Sequence, residues 1–71
     1  MSDLNKIYQQ IKKLNSQISK FFAQRKYDIA LPLAKRALEL ANILEDESIL
    51  AECLNTLGLL YYSQRRYGEA E

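Results

Sequence analysis

The side chains that most often perform catalysis or bind metals are scarce in this chain. It contains no histidine, the usual general base near neutral pH and the commonest metal ligand. Cys53 is the single cysteine, and its mostly apolar helical surroundings favour a small core residue over a nucleophile. The acidic cluster at residues 45–47 lacks the glycine turn and spaced oxygen ligands of a calcium loop. We therefore expect no catalysis, no metal and no cofactor.

Side chains suited to recognition recur at matching places in the two halves of the chain. Asn15 and Asn55 stand 40 residues apart, and so do Phe22 and Tyr62. An asparagine amide both donates and accepts hydrogen bonds, as a bound peptide backbone requires, and aromatic rings supply flat apolar contacts. The alternatives are simple solvent exposure for the asparagines and burial against neighbouring helices for the two rings.

The first element that must position these side chains is a long helix. Its apolar residues are spaced three and four apart: Leu4, Ile7, Ile11, Leu14, Ile18 and Phe21. This spacing predicts an amphipathic helix that Ser2 and Asp3 can cap and that runs to about Gln24. It also fits a homomeric coiled coil. The flanking positions offer no charge pairs to set partner choice, so packing against helices of the same chain is the favoured interpretation.

The second helix should begin with Asp28 as its N-cap and end near Glu45. Pro32 lies close to its first turn, where it removes one backbone hydrogen bond without forbidding the helix. The residues expected on its inward face are Ile29, Leu33, Ala37, Leu40 and Leu44, with Ala30 and Ala34 allowing close approach.

A third helix, capped by Asp46 or Ser48, should run to about Gln64. A basic turn is expected at residues 65–66, and residues 67–71 should open a fourth helix. A chain with these patterns has an all-α fold.

The chain also matches itself at an offset of 40 residues. From Ile11 onward the match needs no gap, and identical residues meet at six positions: Leu14 and Leu54, Asn15 and Asn55, Gln24 and Gln64, Arg25 and Arg65, Tyr27 and Tyr67, and Ala30 and Ala70. The match is weakest where Gln17 meets Leu57 and Ile18 meets Gly58. Glycine inside a helix costs about 1 kcal/mol relative to alanine, so Gly58 is most useful if another helix approaches it closely.

The spacing of Leu54, Leu57, Gly58 and Tyr61, followed by Tyr67 and Ala70, resembles the first half of a tetratricopeptide repeat. The period of 40 residues and the segment 27–40 with its proline are similar to the longer, kinesin-light-chain-type repeats of that family. The resemblance implies antiparallel helix-turn-helix repeats, with three helices and the start of a fourth. It divides residues 1–71 into an extension of the first helix at 1–10, a first repeat at 11–50 and a truncated second repeat at 51–71.

In that family the first helices of successive repeats line a concave groove. The resemblance therefore implies a protein-interaction scaffold that binds a peptide or protein segment. The matching groove positions are Lys12, Asn15, Ser19, Phe22, Asn55, Leu59 and Tyr62.

The sequence holds no further helix to cover the third one, and we expect the chain to be the N-terminal piece of a longer repeat protein. Burying a large apolar side chain is worth about 1.5–3 kcal/mol, so a monomer with several such side chains uncovered should be marginally stable. We expect homo-oligomerisation through the uncovered positions, which are Leu50, Leu57, Leu60 and Tyr61.

Charge is distributed unevenly although the formal net charge is only +1. Residues 1–26 carry six basic groups against one acidic group, whereas residues 27–50 carry five acidic groups against two basic ones. A solvated face is the plain interpretation of the basic helix, and a nucleic-acid contact is the weaker alternative. No apolar run approaches membrane-spanning length, and the single cysteine excludes an internal disulfide, so the cytoplasm is the expected compartment.

Overall fold

The computed structural model describes the backbone of residues 2–69 and the side chains of residues 3–66, and it consists of three helices joined by two tight turns. Helix α1 spans Ser2–Ala23, α2 spans Tyr27–Leu44 and α3 spans Glu47–Glu69. The described residues contain no strand, and the predicted all-α class is confirmed.

Helix α2 lies between the other two helices and packs against both. Its buried face is made largely of alanine, at Ala30, Ala34, Ala37 and Ala41, with Leu40 beside them. Small side chains at i, i+4, i+7 and i+11 form one stripe along a helix, and they let a neighbouring backbone come close. Ile29 was predicted on this face but is an exposed residue, because the stripe is centred on the alanines.

The apolar stripe of α1 is used inside the chain. Ile11 and Ile18 are buried, and Ile7, Leu14 and Phe21 pack against the same core. The stripe that fits a coiled-coil seam is therefore covered by α2, and only Leu4 at its start remains exposed. The structure accordingly supports the favoured interpretation of intramolecular packing.

The turn between α1 and α2 is a Schellman motif. The Lys26 amide donates to the Phe21 carbonyl at 2.9 Å and the Arg25 amide donates to the Phe22 carbonyl at 3.0 Å. Arg25 takes the left-handed conformation, with φ 61°, that this motif requires and that glycine usually supplies. The carbonyl of Lys26 then accepts the first amides of α2, so Lys26 is the N-cap, and the prediction of Asp28 in that place is wrong.

The second turn consists of Glu45 and Asp46. Glu45 is left-handed, with φ 58°, and its amide donates to the Ala41 carbonyl, which ends α2 where the sequence predicted. Asp46 Oδ1 accepts a hydrogen bond from the Ile49 amide at 3.1 Å. This is the geometry of an N-cap side chain bonded to the third residue of its helix, so the predicted cap at Asp46 is confirmed.

Helix α3 is longer than predicted. It does not stop near Gln64, and residues 65–66 continue it where a basic turn was expected. Residues 67–69 also belong to α3, so the predicted opening of a fourth helix at residue 67 is wrong, and Ala70 and Glu71 lie outside the described residues.

The Arg25 turn places a non-glycine residue in a left-handed conformation, and packing of α2 on α1 offsets that cost. No helix of the described chain packs on α3 in the corresponding way.

Candidate interaction surfaces

The predicted groove positions of α3 form a continuous exposed face, here termed the α3 face: Asn55, Leu59 and Tyr62. Their spacing of four and three residues places them on one side of the helix. Leu59 is 51% exposed and Tyr62 is 60% exposed, and Asn55 is exposed as well. Arg66 Nη1 donates to the Tyr62 hydroxyl at 3.2 Å, which holds a cation beside the ring. The face thus offers an amide, a large apolar side chain and an aromatic ring.

The predicted groove positions of α1 form the α1 face: Lys12, Asn15, Ser19 and Phe22. Lys12 and Ser19 are exposed and Asn15 is half-buried. Lys12 Nζ lies 5.5 Å from the centroid of the Tyr8 ring, which is within cation–π distance. The Lys12 ammonium group thus lies beside a ring one turn earlier on the same helix. Phe22 is half-buried and packs on the core, so its main role is structural, as the alternative interpretation held.

The members of each face lie on one side of a single helix, but the two faces belong to different helices. Packing between α1 and α3 is slight in the part of the chain that the structure describes, because α2 separates them for most of their length. A ligand that contacts both faces would therefore have to span from one helix to the other.

A second exposed surface on α3, the α3 stripe, consists of Leu54, Gly58 and Tyr61. Leu54 is 53% exposed and Tyr61 is 46% exposed. A Cβ atom added to Gly58 would meet nothing within 4 Å, so no helix among the described residues makes the close approach that the glycine predicted. Lys35 Nζ of α2 lies 5.8 Å from the Tyr61 ring centroid, at the edge of the stripe.

The four residues predicted to mediate self-association are not equivalent. Leu60 is 0% exposed, so the prediction that it is uncovered is wrong. Leu50 and Leu57 are half-buried because they pack against the core on the α2 side of α3. Only Tyr61 of the four is an exposed residue; it lies at the edge of the side that faces α2, where Lys35 approaches its ring. The helix phase was assigned incorrectly for Leu60: Cys53, Leu57 and Leu60 face α2.

A cleft between α1 and α2 was not anticipated from the sequence. Its volume is about 320 Å³, and its lining residues are Gln10, Lys13, Leu14, Gln17, Arg36 and Leu40. Two leucines and two cations thus border the same depression. The signal that points to it in the sequence is the seven-residue spacing of Lys6, Lys13 and Lys20, which places three lysines on one side of α1.

Cys53 is buried against α2, which confirms its interpretation as a small core residue. Burial raises the pKa of the Cys53 thiol, and the neighbouring Glu52 carboxylate raises it further, so the reactive thiolate is disfavoured. Among the described residues, no three side chains of metal-binding type converge. No helix within residues 2–69 combines the length and the apolar character needed to cross a membrane.

A family model described as tetratricopeptide repeat matches residues 20–71, which cover the end of α1, all of α2 and all of α3. No curated protein and no solved structure matches the chain.

Proposed function

The chain belongs to the tetratricopeptide repeat family, and on this premise we propose that it binds a segment of a partner protein across the α1 face and the α3 face. Repeats of this family generally mediate protein–protein interaction, and they are a non-catalytic type of scaffold. In the proposed binding mode, a peptide or extended segment of the partner lies across the first helices of successive repeats.

The observation that supports this proposal best is the exposure of Leu59 and Tyr62 beside Asn55. More than half of the surface of each of these two large side chains is open to solvent. Neither of them is needed for packing on α2, since the core of α3 is formed by Cys53 and Leu60. Aromatic and aliphatic side chains exposed next to an amide are suited to anchor one side chain and the backbone of a bound segment.

The α1 face would contribute polar contacts. Asn15 offers an amide at the position equivalent to Asn55, and Lys12 and Ser19 are exposed on either side of it. Phe22 supports this face from below through its contact with Tyr27. A segment with a large apolar side chain and an acidic group near one end fits this combination.

The experiment is a peptide-display selection on the 71-residue chain, followed by affinity measurements on the selected peptides. We expect Leu59→Ser to weaken binding about tenfold, as removal of an interface anchor does. Ile43→Ser is the matched control, because Ile43 is exposed to a similar extent but lies on α2. The proposal fails if Leu59→Ser and Asn55→Ala leave the affinity of every selected peptide unchanged.

A second candidate function is self-association through the α3 stripe. Exposed Leu54 and Tyr61 flank Gly58, whose open surface leaves room for a helix backbone to approach. Two copies of α3 crossing at Gly58 would cover both stripes in an isologous pair. Sedimentation equilibrium over a concentration series should then show a dimer that Leu54→Asp dissociates and Leu59→Asp does not. A monomer at all concentrations would contradict this candidate.

The remaining assignments belong to the same proposal. The chain acts as a binding module without catalysis of its own, and its proposed compartment is the cytoplasm. Its single cysteine supports that compartment, because disulfides are characteristic of oxidising ones.

A further inference from the structure

The side of α1 that points away from the α1 face carries a regular ladder of basic and amide side chains. Lys6, Lys13 and Lys20 recur every seven residues, and Gln10 and Gln17 fill the positions between them. All five are exposed. Within the described part of the chain, none of the three lysines lies within ion-pairing distance of a carboxylate. The ladder extends about 21 Å along the helix, at 1.5 Å per residue.

Helix α2 supplies the opposite wall and part of the floor of the cleft beside this ladder. Arg36 of α2 and Lys13 of α1 both line this cleft, together with Leu14 and Leu40. Arg36 Nη1 contacts Glu39 Oε1 at 3.3 Å, but both side chains of that pair are exposed, so the pair is weak and open to exchange. The cleft therefore combines a positive rim with an apolar floor.

The internal 40-residue match shows that this side of α1 differs in polarity from the matching side of α3. Its counterparts in α3 are Leu50, Cys53, Leu57 and Leu60, and these are the side chains that pack on α2. In α1 the same positions hold Gln10, Lys13, Gln17 and Lys20. A helix with an apolar alanine face like that of α2 would leave these lysines and amides without partners if it packed here. This side of α1 is therefore suited to solvent or to an occupant that carries negative charge.

We propose that the α1–α2 cleft is a docking site for an acidic amphipathic helix of a partner protein. Carboxylates of that helix would pair with Lys13, Lys20 and Arg36, and its aliphatic side chains would cover the half-buried Leu14, which lines the cleft with the buried Leu40. Electrostatic complementarity of this kind sets the choice of partner and speeds the encounter. This site lies on a different side of α1 from the α1 face, so it is independent of the segment-binding proposal above.

The chemistry of the cleft favours a protein over a nucleic acid. Single-stranded nucleic acids are held by exposed aromatic rings on which bases stack, and the cleft is lined by leucine and glutamine instead. The lysines of the ladder stand about 10 Å apart along the helix, which is wider than the spacing of phosphates along a strand.

The experiment measures fluorescence anisotropy with a labelled helical peptide of about 15 residues, which spans about 22 Å. Leucines occupy one face of the peptide and glutamates flank them. Lys13→Glu should weaken binding about fivefold or more, as should Lys20→Glu, because each replaces an attraction with a repulsion. Lys26→Glu is the matched control: it changes the net charge equally at an exposed residue of the turn between α1 and α2, outside both the cleft lining and the α1 face, and we expect less than a twofold effect.

Three outcomes would overturn the proposal. An equal loss in Lys26→Glu would show attraction to overall charge, and unchanged affinity for a peptide with serine in place of leucine would show that the apolar floor takes no part. Preference for single-stranded RNA of similar length over the peptide would assign the surface to nucleic acid. Amide shifts of the unmodified chain give a second measurement: changes at Gln10, Lys13 and Arg36 support the cleft, and changes confined to Asn55, Leu59 and Tyr62 contradict it.

Discussion

The ring of Phe22 meets the ring of Tyr27 edge to face across the turn between α1 and α2. The ring centroids are 5.4 Å apart and the ring planes are inclined by 70°. Phe22 is three residues before Arg25, the left-handed residue of the turn, and Tyr27 is the first residue of α2. The contact therefore clamps the turn at the point where the backbone reverses.

We expect this ring pair to stabilise the fold beyond the burial of its surface. A double-mutant cycle with Phe22→Leu and Tyr27→Leu should give a coupling free energy of about 0.5–1.5 kcal/mol. Urea unfolding followed by circular dichroism measures each variant. Additive losses from the two single substitutions would show that the edge-to-face contact contributes nothing of its own.

The N-cap of α3 can be tested with two aspartates in related positions. Asp46→Ala removes the acceptor of the Ile49 amide and should lower the free energy of unfolding by about 1 kcal/mol. Asp28→Ala is the control, because Asp28 lies in the first turn of α2 but is not its N-cap, and the helix dipole favours a carboxylate there by about 0.3–1 kcal/mol. Equal losses in the two variants would mean that the cap hydrogen bond of Asp46 adds little.

A substitution at Gly58 should affect the stability of the single chain and its self-association in opposite directions. A Cβ at this position meets open space, so Gly58→Ala should stabilise the monomer by about 0.8–1 kcal/mol through helix propensity. If two copies of α3 cross at Gly58, the added methyl group should weaken their association. Thermal unfolding at low concentration and sedimentation at high concentration measure the two effects. Destabilisation at low concentration would contradict the open environment of the glycine.

Leu59 and Leu60 are neighbours with opposite environments, and they form a matched pair. Leu60 is completely buried, so Leu60→Ala should cost about 2–5 kcal/mol. Leu59 is exposed on the α3 face, so Leu59→Ala should change stability by no more than about 0.5 kcal/mol. The denaturant midpoints of the two variants measure these two losses of stability. Similar losses would show that the phase of α3 on α2 differs from the one described.

Cys53 should lower the free energy of unfolding as the pH rises into the alkaline range. Its thiol pKa is raised in the folded chain above the ordinary value of 9.0, because burial disfavours the thiolate. The folded state therefore retains the proton after the unfolded state has lost it, and the contribution of the buried thiol declines as the pH rises above 9.0. The stability difference between the unmodified chain and Cys53→Ala, measured by urea unfolding at about pH 7 and about pH 10, should shift toward the variant at the higher pH. A constant difference would contradict the raised pKa.

The sequence by itself determined the helical class and most of the helix ends, but it predicted the start of a fourth helix that α3 replaces. Apolar spacing of three and four residues made the helices recognisable, and Asp46 could be identified as a cap because its side chain acts on amides only three residues away. The family could be recognised for the same reason, since the motif around Leu54, Gly58 and Tyr61 is a local pattern. Such features depend on short-range geometry, which the order of residues fixes.

Only the tertiary structure decided which side of each helix is covered. Leu60 and Leu59 are equally apolar, and the difference between them comes from the rotation of α3 on α2, which no local pattern specifies. The turn at Arg25 and its absence at Arg65 show the same dependence. Identical residues occupy the two places, but the left-handed backbone forms where α2 packs back on α1 and helix continues where the described chain has no such partner. The α1–α2 cleft likewise needs two helices side by side before Lys13 and Arg36 can line the same depression.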